Sequence, residues 1–386
     1  MTYHNNYDVI LIGAGSIGTP TALYLSKAGL KTLVCDSAAS VGQGSSKKAI
    51  GGIRATHSDP AKIALCLRSL EIFSTWEAQY GQSIEWFKGG YSYPVYRQEE
   101  QDKLKSLLET QKRYGLNIDW HTKDDMLAII PDLNPEQLLG GTFSPDDGNA
   151  SPLLATHAFY QEAMHHGADF HFNEEVIAIL VDHDQVTGVE TTRGRYACKY
   201  VVNCAGSYAR NISQLIHVDI PVIPDSHESG ITEPVEHFLD PMVVDIRPAP
   251  GSSNFYFYQH ITGQIVFCIT PSPNIWGFDT RETSTFLPMV AKRMVDLMPR
   301  LQHIRVRRTW RGLYPMTPDG FPIVGFQKET KGFIQAAGMC GQGFMLGPGL
   351  AELIVRMITD QLTEKDAMIL HYLSPDRTFE GEEILK

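Results

Sequence analysis

The sequence predicts a mixed fold, α/β at its start and α+β overall, in which an opening strand–helix–strand unit is followed by a second, mostly antiparallel sheet. Three observations predict it. Residues 7–12 form an apolar run that leads through glycines into a helical pattern and back to a second run at 31–36. Residues 176–202 alternate in polarity and turn at Asp184 and Gly194, and residues 255–269 bend around Thr262-Gly263, as antiparallel strands do. Finally, 386 residues with 43% hydrophobic content suffice for two domains rather than one.

In chain order, 7–12 reads as a buried strand and the helix that follows runs to about Ala28, where Gly29 supplies the C-cap. Pro20 falls in the first helical turns, where the N–H it lacks has no intrahelical partner anyway. Ile63, Leu67, Leu70 and Phe73 recur at helical spacing, as do Leu104, Leu107 and Leu108; Ala155, Ala158, Phe159 and Ala163 mark a third amphipathic helix. The segments around Pro221, Pro224, Pro234, Pro241, Pro248 and Pro250 lack periodicity and read as connections at the edge of the second domain. There is no internal repeat or low-complexity tract.

The net charge of −11, with no basic run, disfavours nucleic acid or an anionic membrane as partner and favours a small polar ligand. Six cysteines without a C-x-x-C pair suggest neither a zinc ribbon nor a disulfide framework. The polar opening residues 1–6 and the short apolar run 9–12 give no leader or membrane span, so a cytoplasmic location is expected. His165, His166 and His171 share their spacing with no carboxylate or cysteine, so no metal is expected there.

Gly13-Ala14-Gly15-Ser16-Ile17-Gly18 lies between a strand and a helix, the context in which a G-x-G-x-x-G run holds a dinucleotide. Gly13 permits the tight turn, Gly15 lets the backbone approach a pyrophosphate, and Gly18 allows close helix–strand packing, with the helix N–H groups facing the phosphate charge. Asp36 ends the next strand, where a carboxylate accepts ribose hydroxyls. The fingerprint itself does not separate NAD from FAD.

Three later motifs bear on that choice. Val201-Val202-Asn203-Cys204-Ala205-Gly206 resembles the second strand-and-glycine motif of two-dinucleotide-fold flavoproteins. Pro315-Met316-Thr317-Pro318-Asp319-Gly320-Phe321-Pro322-Ile323-Val324-Gly325, followed by Gly338-Met339-Cys340-Gly341-Gln342-Gly343-Phe344-Met345, closely resembles the C-terminal signature of the D-amino-acid-oxidase superfamily. Within it the chain is most similar to the branch that holds sarcosine oxidases, glycine oxidase and the β subunits of dye-linked L-proline dehydrogenases, and Asp147-Gly148-Asn149-Ala150-Ser151-Pro152, Gly51-Gly52-Ile53-Arg54 and Gly341-Gln342-Gly343-Phe344-Met345 most resemble those proline dehydrogenase β subunits.

The resemblance covers nearly the whole chain and implies a Rossmann-like FAD-binding domain of glutathione-reductase type in three segments, 1–87, 147–219 and 310–386. The substrate domain would comprise 88–146 and 220–309, with the site between the two. The implied activity is an FAD-dependent amino-acid dehydrogenase acting on the C–N bond of a small, secondary amino acid such as proline or sarcosine, or on glycine.

On the same resemblance, FAD would be held by Gly13, Ala14, Gly15, Ser16, Ile17, Gly18, Asp36, Ser37, Gly44, Ser45, Ser46, Gly51, Gly52, Ile53, Val176, Cys204, Ala205, Gly206, Gly312, Gly338, Cys340, Gly341, Gln342, Gly343, Phe344 and Met345. Residues 338–349 read as a glycine-rich loop, with Pro348 opening the helix that carries Leu350, Leu353, Ile354 and Met357. Close packing against a sheet explains those glycines equally well.

Arg54 matches the position that holds the substrate carboxylate in sarcosine oxidases, a task suited to a guanidinium fork; a structural arginine is the alternative. Tyr256 and Tyr258 alternate with Phe255 and Phe257, so one face of that strand lines the cleft and the other is core.

Departures from the family pattern carry their own expectations. Gly312 stands where monomeric sarcosine oxidase has its flavin-tethering cysteine, so FAD is expected to be noncovalent. Pro152 replaces the FMN-tethering histidine of heterotetrameric sarcosine oxidase, which leaves room for a noncovalent FMN at a subunit contact. Met345 replaces a lysine contact to the carboxylate, and Ile265 aligns with the oxygen-activating lysine, so electrons should pass to a partner subunit, a quinone or a dye rather than to oxygen. Two other readings remain open: a peroxide-producing oxidase of amino acids or glycerol 3-phosphate, and a flavin subunit that only relays electrons.

Overall fold

The computed structural model describes residues 6–385; the first five residues of the polar opening read above lie outside it. The chain opens with β1 (Val9–Ile12), α1 (Gly18–Lys27), β2 (Thr32–Asp36), β3 (Gly52–Ile53) and α2 (Pro60–Tyr80). It continues through β4 (Tyr91–Val95), α3 (Gln98–Arg113), β5 (Asp119–Thr122), α4 (Lys123–Ile129), β6 (Gly140–Ser144), β7 (Gly148–Asn149) and α5 (Pro152–His165). Next come β8 (Asp169–Phe172), β9 (Val176–Asp182), β10 (Gln185–Thr191), β11 (Arg195–Ala197), β12 (Tyr200–Asn203) and α6 (Ala209–Gln214). Then follow β13 (Ile223–Thr232), β14 (Met242–Asp245), β15 (Ser252–Gln259), β16 (Ile265–Pro271), α7 (Phe286–Leu297) and β17 (Val306–Met316). The chain finishes with β18 (Ile323–Phe326), β19 (Phe333–Ala337), α8 (Gly343–Ile358) and α9 (Glu364–Leu373).

Two large sheets organise these elements. The first has six strands in the order β18-β19-β12-β1-β2-β8, parallel except for the β18–β19 pair. Buried on both faces, β1 reads as the continuous apolar run Val9-Ile10-Leu11-Ile12. Val9 and Leu11 join the main core with α1, α2, α5 and α8, whereas Ile10 and Ile12 join a second cluster beneath the three-stranded sheet β11-β10-β9. The alternating stretch 176–202 therefore divides: its first three strands form that antiparallel meander, while β12 enters the parallel sheet.

The second large sheet has eight strands in the order β17-β13-β16-β15-β14-β4-β6-β5, antiparallel except where β14 meets β4. Phe255, Phe257, Ile265 and Phe267 lie in one core cluster with α7 residues Phe286, Val290 and Met294. The alternate positions, Tyr258, Val266 and Cys268, belong to another cluster, against which Tyr256 packs. The two-residue strands β3 and β7 pair with each other, bringing the approach to Arg54 beside Asp147.

The structure corrects two sequence expectations. The proline-rich stretch after residue 220 contains β13, a strand inside the sheet rather than an edge connection; Pro224 is accommodated because it lies near the strand's start, opposite Pro315. α8 begins at Gly343, not at Pro348, which lies inside the helix. β17 runs without a break through residue 310. Among the described residues no helix is long and apolar enough to cross a membrane, and all six cysteines are free and buried.

Candidate active site

The site begins at the turn after β1. Gly13 has φ +108°, and a Cβ there would lie 2.6 Å from the Cys204 carbonyl oxygen at the end of neighbouring β12. A Cβ on Gly18 would fall 1.9 Å from the Gly13 oxygen, so the start of α1 can lie on this turn only as glycine. Asp36, at the end of β2, accepts hydrogen bonds from Ala14 N (2.7 Å) and Ala38 N (2.8 Å), which fixes the loop while each oxygen keeps a further lone pair. Ser16 N donates to Ser46 Oγ (3.0 Å). α1 has no side-chain cap and no acid in its first turn, leaving its amide-rich end to an anion.

A second helix N-terminus lies beside the first. A Cβ on Gly343 would stand 3.6 Å from Ser16 Oγ, and one on Gly347 would stand 2.0 Å from Ser16 O, so α8 is pressed directly onto the α1 loop. It too lacks a side-chain cap and a first-turn acid, and the buried Gln342 Oε1 beside it has no protein partner. The loop before it turns through positive φ at Gly338, Cys340 and Gly341, and a Cβ at Gly341 would collide with the Tyr314 ring (2.2 Å). Uncapped helix ends, Cβ-free turns and an orphaned amide oxygen fit a dinucleotide whose pyrophosphate and ring system span both loops.

The remaining sequence candidates distribute along this frame. Ser45 Oγ donates to Leu313 O (2.8 Å), and the Lys48 ammonium donates to Arg311 O (3.0 Å), tying residues 45–48 to β17. Gly51 and Gly52 are hemmed in by Ala150 O, at 2.3 Å from a built Cβ, and Tyr91 Oη, at 2.2 Å; Ile53 is core. Gly44 and Ser37 are exposed, Ala205 and Gly206 follow β12 half-buried, and Val176 opens β9 just after Glu174, whose N–H donates to Asp36 O (3.0 Å). Gly312 packs against Lys48, with 2.8 Å between a built Cβ and the lysine Cβ. Phe344 and Met345 are buried in the main core rather than among the tyrosines of the second sheet.

Those tyrosines form the other wall. Tyr256 Oη lies 2.6 Å from Tyr314 Oη, and Tyr258 Oη donates to Ile50 O (2.5 Å). Ile265, expected from the resemblance to stand where the oxidases place a lysine, packs on the opposite face of β16 from Val266 and Cys268. Behind Tyr314, the His227 imidazole stacks at 3.7 Å and its Nε2 lies 3.0 Å from Asp225 Oδ2. Burial opposes charge on His227, but the hydrogen bond and charge of Asp225, with Cys268 beside it, hold its pKa above the ordinary value.

Arg54 is only 6% exposed. Its Nη1 donates to Thr56 O and faces His57 Nδ1 at 3.4 Å, its Nη2 donates to Leu385 O (2.5 Å), and Tyr91 lies 6.0 Å away. Burial, and then repulsion by Arg54, hold the His57 pKa well below its usual range, so it offers the guanidinium a neutral lone pair. Among the described residues no carboxylate comes within 4 Å of Arg54. Asp147 sits nearby, accepting from Ala55 N (2.9 Å) and Thr56 Oγ1 (2.8 Å).

Sequence reasoning missed Tyr314, Tyr91, His227 and Leu385. Tyr314 was findable, two residues after Gly312 on the same face of one strand. Tyr91 also had a signal, the alternation Tyr91-Ser92-Tyr93. Leu385 had none, since nothing local to residues 374–385 marks them as part of a site formed around residue 54.

Known proteins share this fold and much of this sequence pattern. The L-proline dehydrogenase structure from P. horikoshii superposes with a TM-score of 0.89 at 28% identity, covering 96% of this chain and 97% of that one. Glycine oxidase of Geobacillus kaustophilus is 25% identical over 370 residues, covering 94% of this chain and 95% of its own. Mitochondrial sarcosine dehydrogenase of Mus musculus is 24% identical over 379 residues, or 93% of this chain, which spans only 40% of that relative's length. The model of the FAD dependent oxidoreductase (DAO) family matches residues 8–357, taking in the glycine turn, the tyrosine wall and the α8 loop alike. The chain belongs to the DAO family of FAD dependent oxidoreductases.

Proposed function

We propose that this protein is an amino-acid dehydrogenase that oxidises the C–N bond of a small, secondary amino acid such as proline or sarcosine, or of glycine, and passes the electrons to an acceptor other than oxygen. The observation that carries the reading is Arg54, a buried guanidinium beside a tyrosine-lined wall that no described carboxylate contacts within 4 Å, although the charge of Glu383 reaches it from further off. A buried cation in that state is costly unless an anion completes it, and an amino acid brings a carboxylate. The relatives named for proline, glycine and sarcosine support the same substrate class.

FAD, when bound, would supply the hydride acceptor for the carbon next to the substrate nitrogen. The chain's own residues orient and exclude. Arg54 holds the carboxylate, Tyr256 and Tyr314 close the wall beside the amine, and Ile50, Tyr258 and Met242 keep water from the reacting carbon. Val266 and Cys268 on the site face of β16 supply no lysine to favour reaction with oxygen. The Gly13–Gly18 turn, Asp36 and the 338–345 loop hold FAD without a covalent bond, the first sheet serving as cofactor body and the second as substrate body. A cytoplasmic location and an FMN-bearing partner subunit belong to the same reading and rest on the sequence alone.

Anaerobic titration of the yellow protein with proline, sarcosine and glycine tests it. At least one should bleach the flavin band, and air should restore the colour much more slowly than turnover with a dye. Arg54→Lys should weaken that response by about 1.5–3 kcal/mol, the scale of a hydrogen bond to a charged group, chiefly as a raised KM. No bleaching by any amino acid would overturn the reading.

A further inference from the structure

On a chain of net charge −11, one exposed rim is basic. β17, an edge strand of the eight-stranded sheet, carries Arg308, Trp310, Gly312 and Tyr314 at alternate positions. All four therefore lie on one face, with exposed Arg308 about 20 Å from Tyr314 at the rise of an extended strand. Trp310 is half-buried: its ring packs against the cluster that contains Tyr258, and its Nε1 donates to Lys48 O (2.8 Å). The Arg308 guanidinium lies 5.7 Å from the Trp310 ring, and Lys47 is exposed next to Lys48. Burial, and then repulsion by Lys47 and Arg308, hold the Lys48 ammonium below the ordinary lysine pKa, so the three cations feel one another's charge. Among the described residues none of the three has a carboxylate within 4 Å; Glu282, held by Thr309 Oγ1 (3.1 Å), acts on Lys48 from further off.

This rim adjoins the cofactor frame. Ser46, which accepts from Ser16 N at the start of α1, immediately precedes Lys47, and Gly312 packs against the Lys48 stem. An acidic protein is repelled by most of a surface with this net charge and attracted at the rim, which orients it on approach. A second copy of the chain meeting it by twofold symmetry would set basic rim against basic rim. Resting on the dehydrogenase reading above, we propose that Lys47, Lys48 and Arg308, ranged round Trp310, form the docking point of an acidic electron-carrier protein. Each turnover leaves two electrons and two protons to be removed from the reduced cofactor. Two one-electron carriers docking in turn each take one electron, Trp310 spanning the gap between the tyrosine wall and the rim, and the protons pass to water.

The test uses the FAD-loaded full chain, a short oligo-L-glutamate as the acidic polypeptide and ferricyanide as a one-electron acceptor. Calorimetry at low salt should show the peptide binding the unaltered chain about tenfold more tightly than the variant with Lys47→Glu and Arg308→Glu, the low end of what a local field does to a charged partner. A charge-matched variant with Lys103→Glu and Lys123→Glu, exposed positions on α3 and α4, should bind as the unaltered chain does. After reduction by stoichiometric dithionite, which bypasses the amino acid, the peptide should slow reoxidation by ferricyanide in the unaltered chain but not in the Lys47 and Arg308 variant. No binding, equal loss of binding in both variants, or binding that leaves the ferricyanide reaction unaffected would overturn the docking point while leaving the amino-acid reading in place. Reoxidation by air as fast as by ferricyanide would overturn the docking point together with the claim of an acceptor other than oxygen.

Discussion

Asp147 shows how much the site depends on single charges kept dry. Burial pushes its pKa up to about 6, against the pull of hydrogen bonds from Ala55 N and Thr56 Oγ1. The unfolded chain releases this proton near the ordinary value of 3.8, so between roughly pH 4 and 6 the folded state holds more protons than the unfolded one. Stability from this group therefore falls as pH rises through that window, by an amount on the order of 2–3 kcal/mol. Asp147→Asn should flatten that part of the melting-temperature profile; an unchanged profile would show that another group titrates there. The sequence displayed the alternation of Tyr256 and Tyr258 openly, because a period-two pattern is a local signal, and pointed to Arg54 only through the resemblance to the family. It hid His57 and Leu385, and gave Asp147 only as part of a motif, because their roles come from contacts between distant segments.

The two uncapped helix ends separate what was legible from what was not. α1 could be read from spacing alone, since Gly13, Gly15 and Gly18 each answer a local demand of the turn. The start of α8 could not, because Pro348 reads as a helix opener and instead lies inside the helix. Packing overrides the propensity there: a Cβ on Gly347 would meet Ser16 O at 2.0 Å, a Cβ on Gly349 would meet Leu65 O at 2.2 Å, and Gly349 N bonds Ser69 Oγ (2.9 Å). Gly347→Ala should accordingly force α8 off the α1 loop, costing about 1–3 kcal/mol by overpacking. Both a lowered melting temperature and weaker FAD retention are expected. Loss of stability with full FAD affinity would mean that this contact does not shape the cofactor site.

For the whole molecule, the βαβ opening, the antiparallel middle and the resemblance to the DAO family were all readable, because they rest on runs of residues and short turns. The order of the eight-stranded sheet was not, since β4 joins β14 across some 150 residues and β13 hides among prolines. The expectation that FAD is held without a bond belongs at this scale, since both glycine loops would have to release together. Acid precipitation should leave the flavin free and yellow in the supernatant; a coloured pellet would contradict it. Gly312 carries that point into protein engineering. A side chain there would strike the Lys48 stem, so permanently fastening the cofactor to this scaffold by a thioether at residue 312 calls for at least two coordinated substitutions, one to supply the sulfur and one to clear its path.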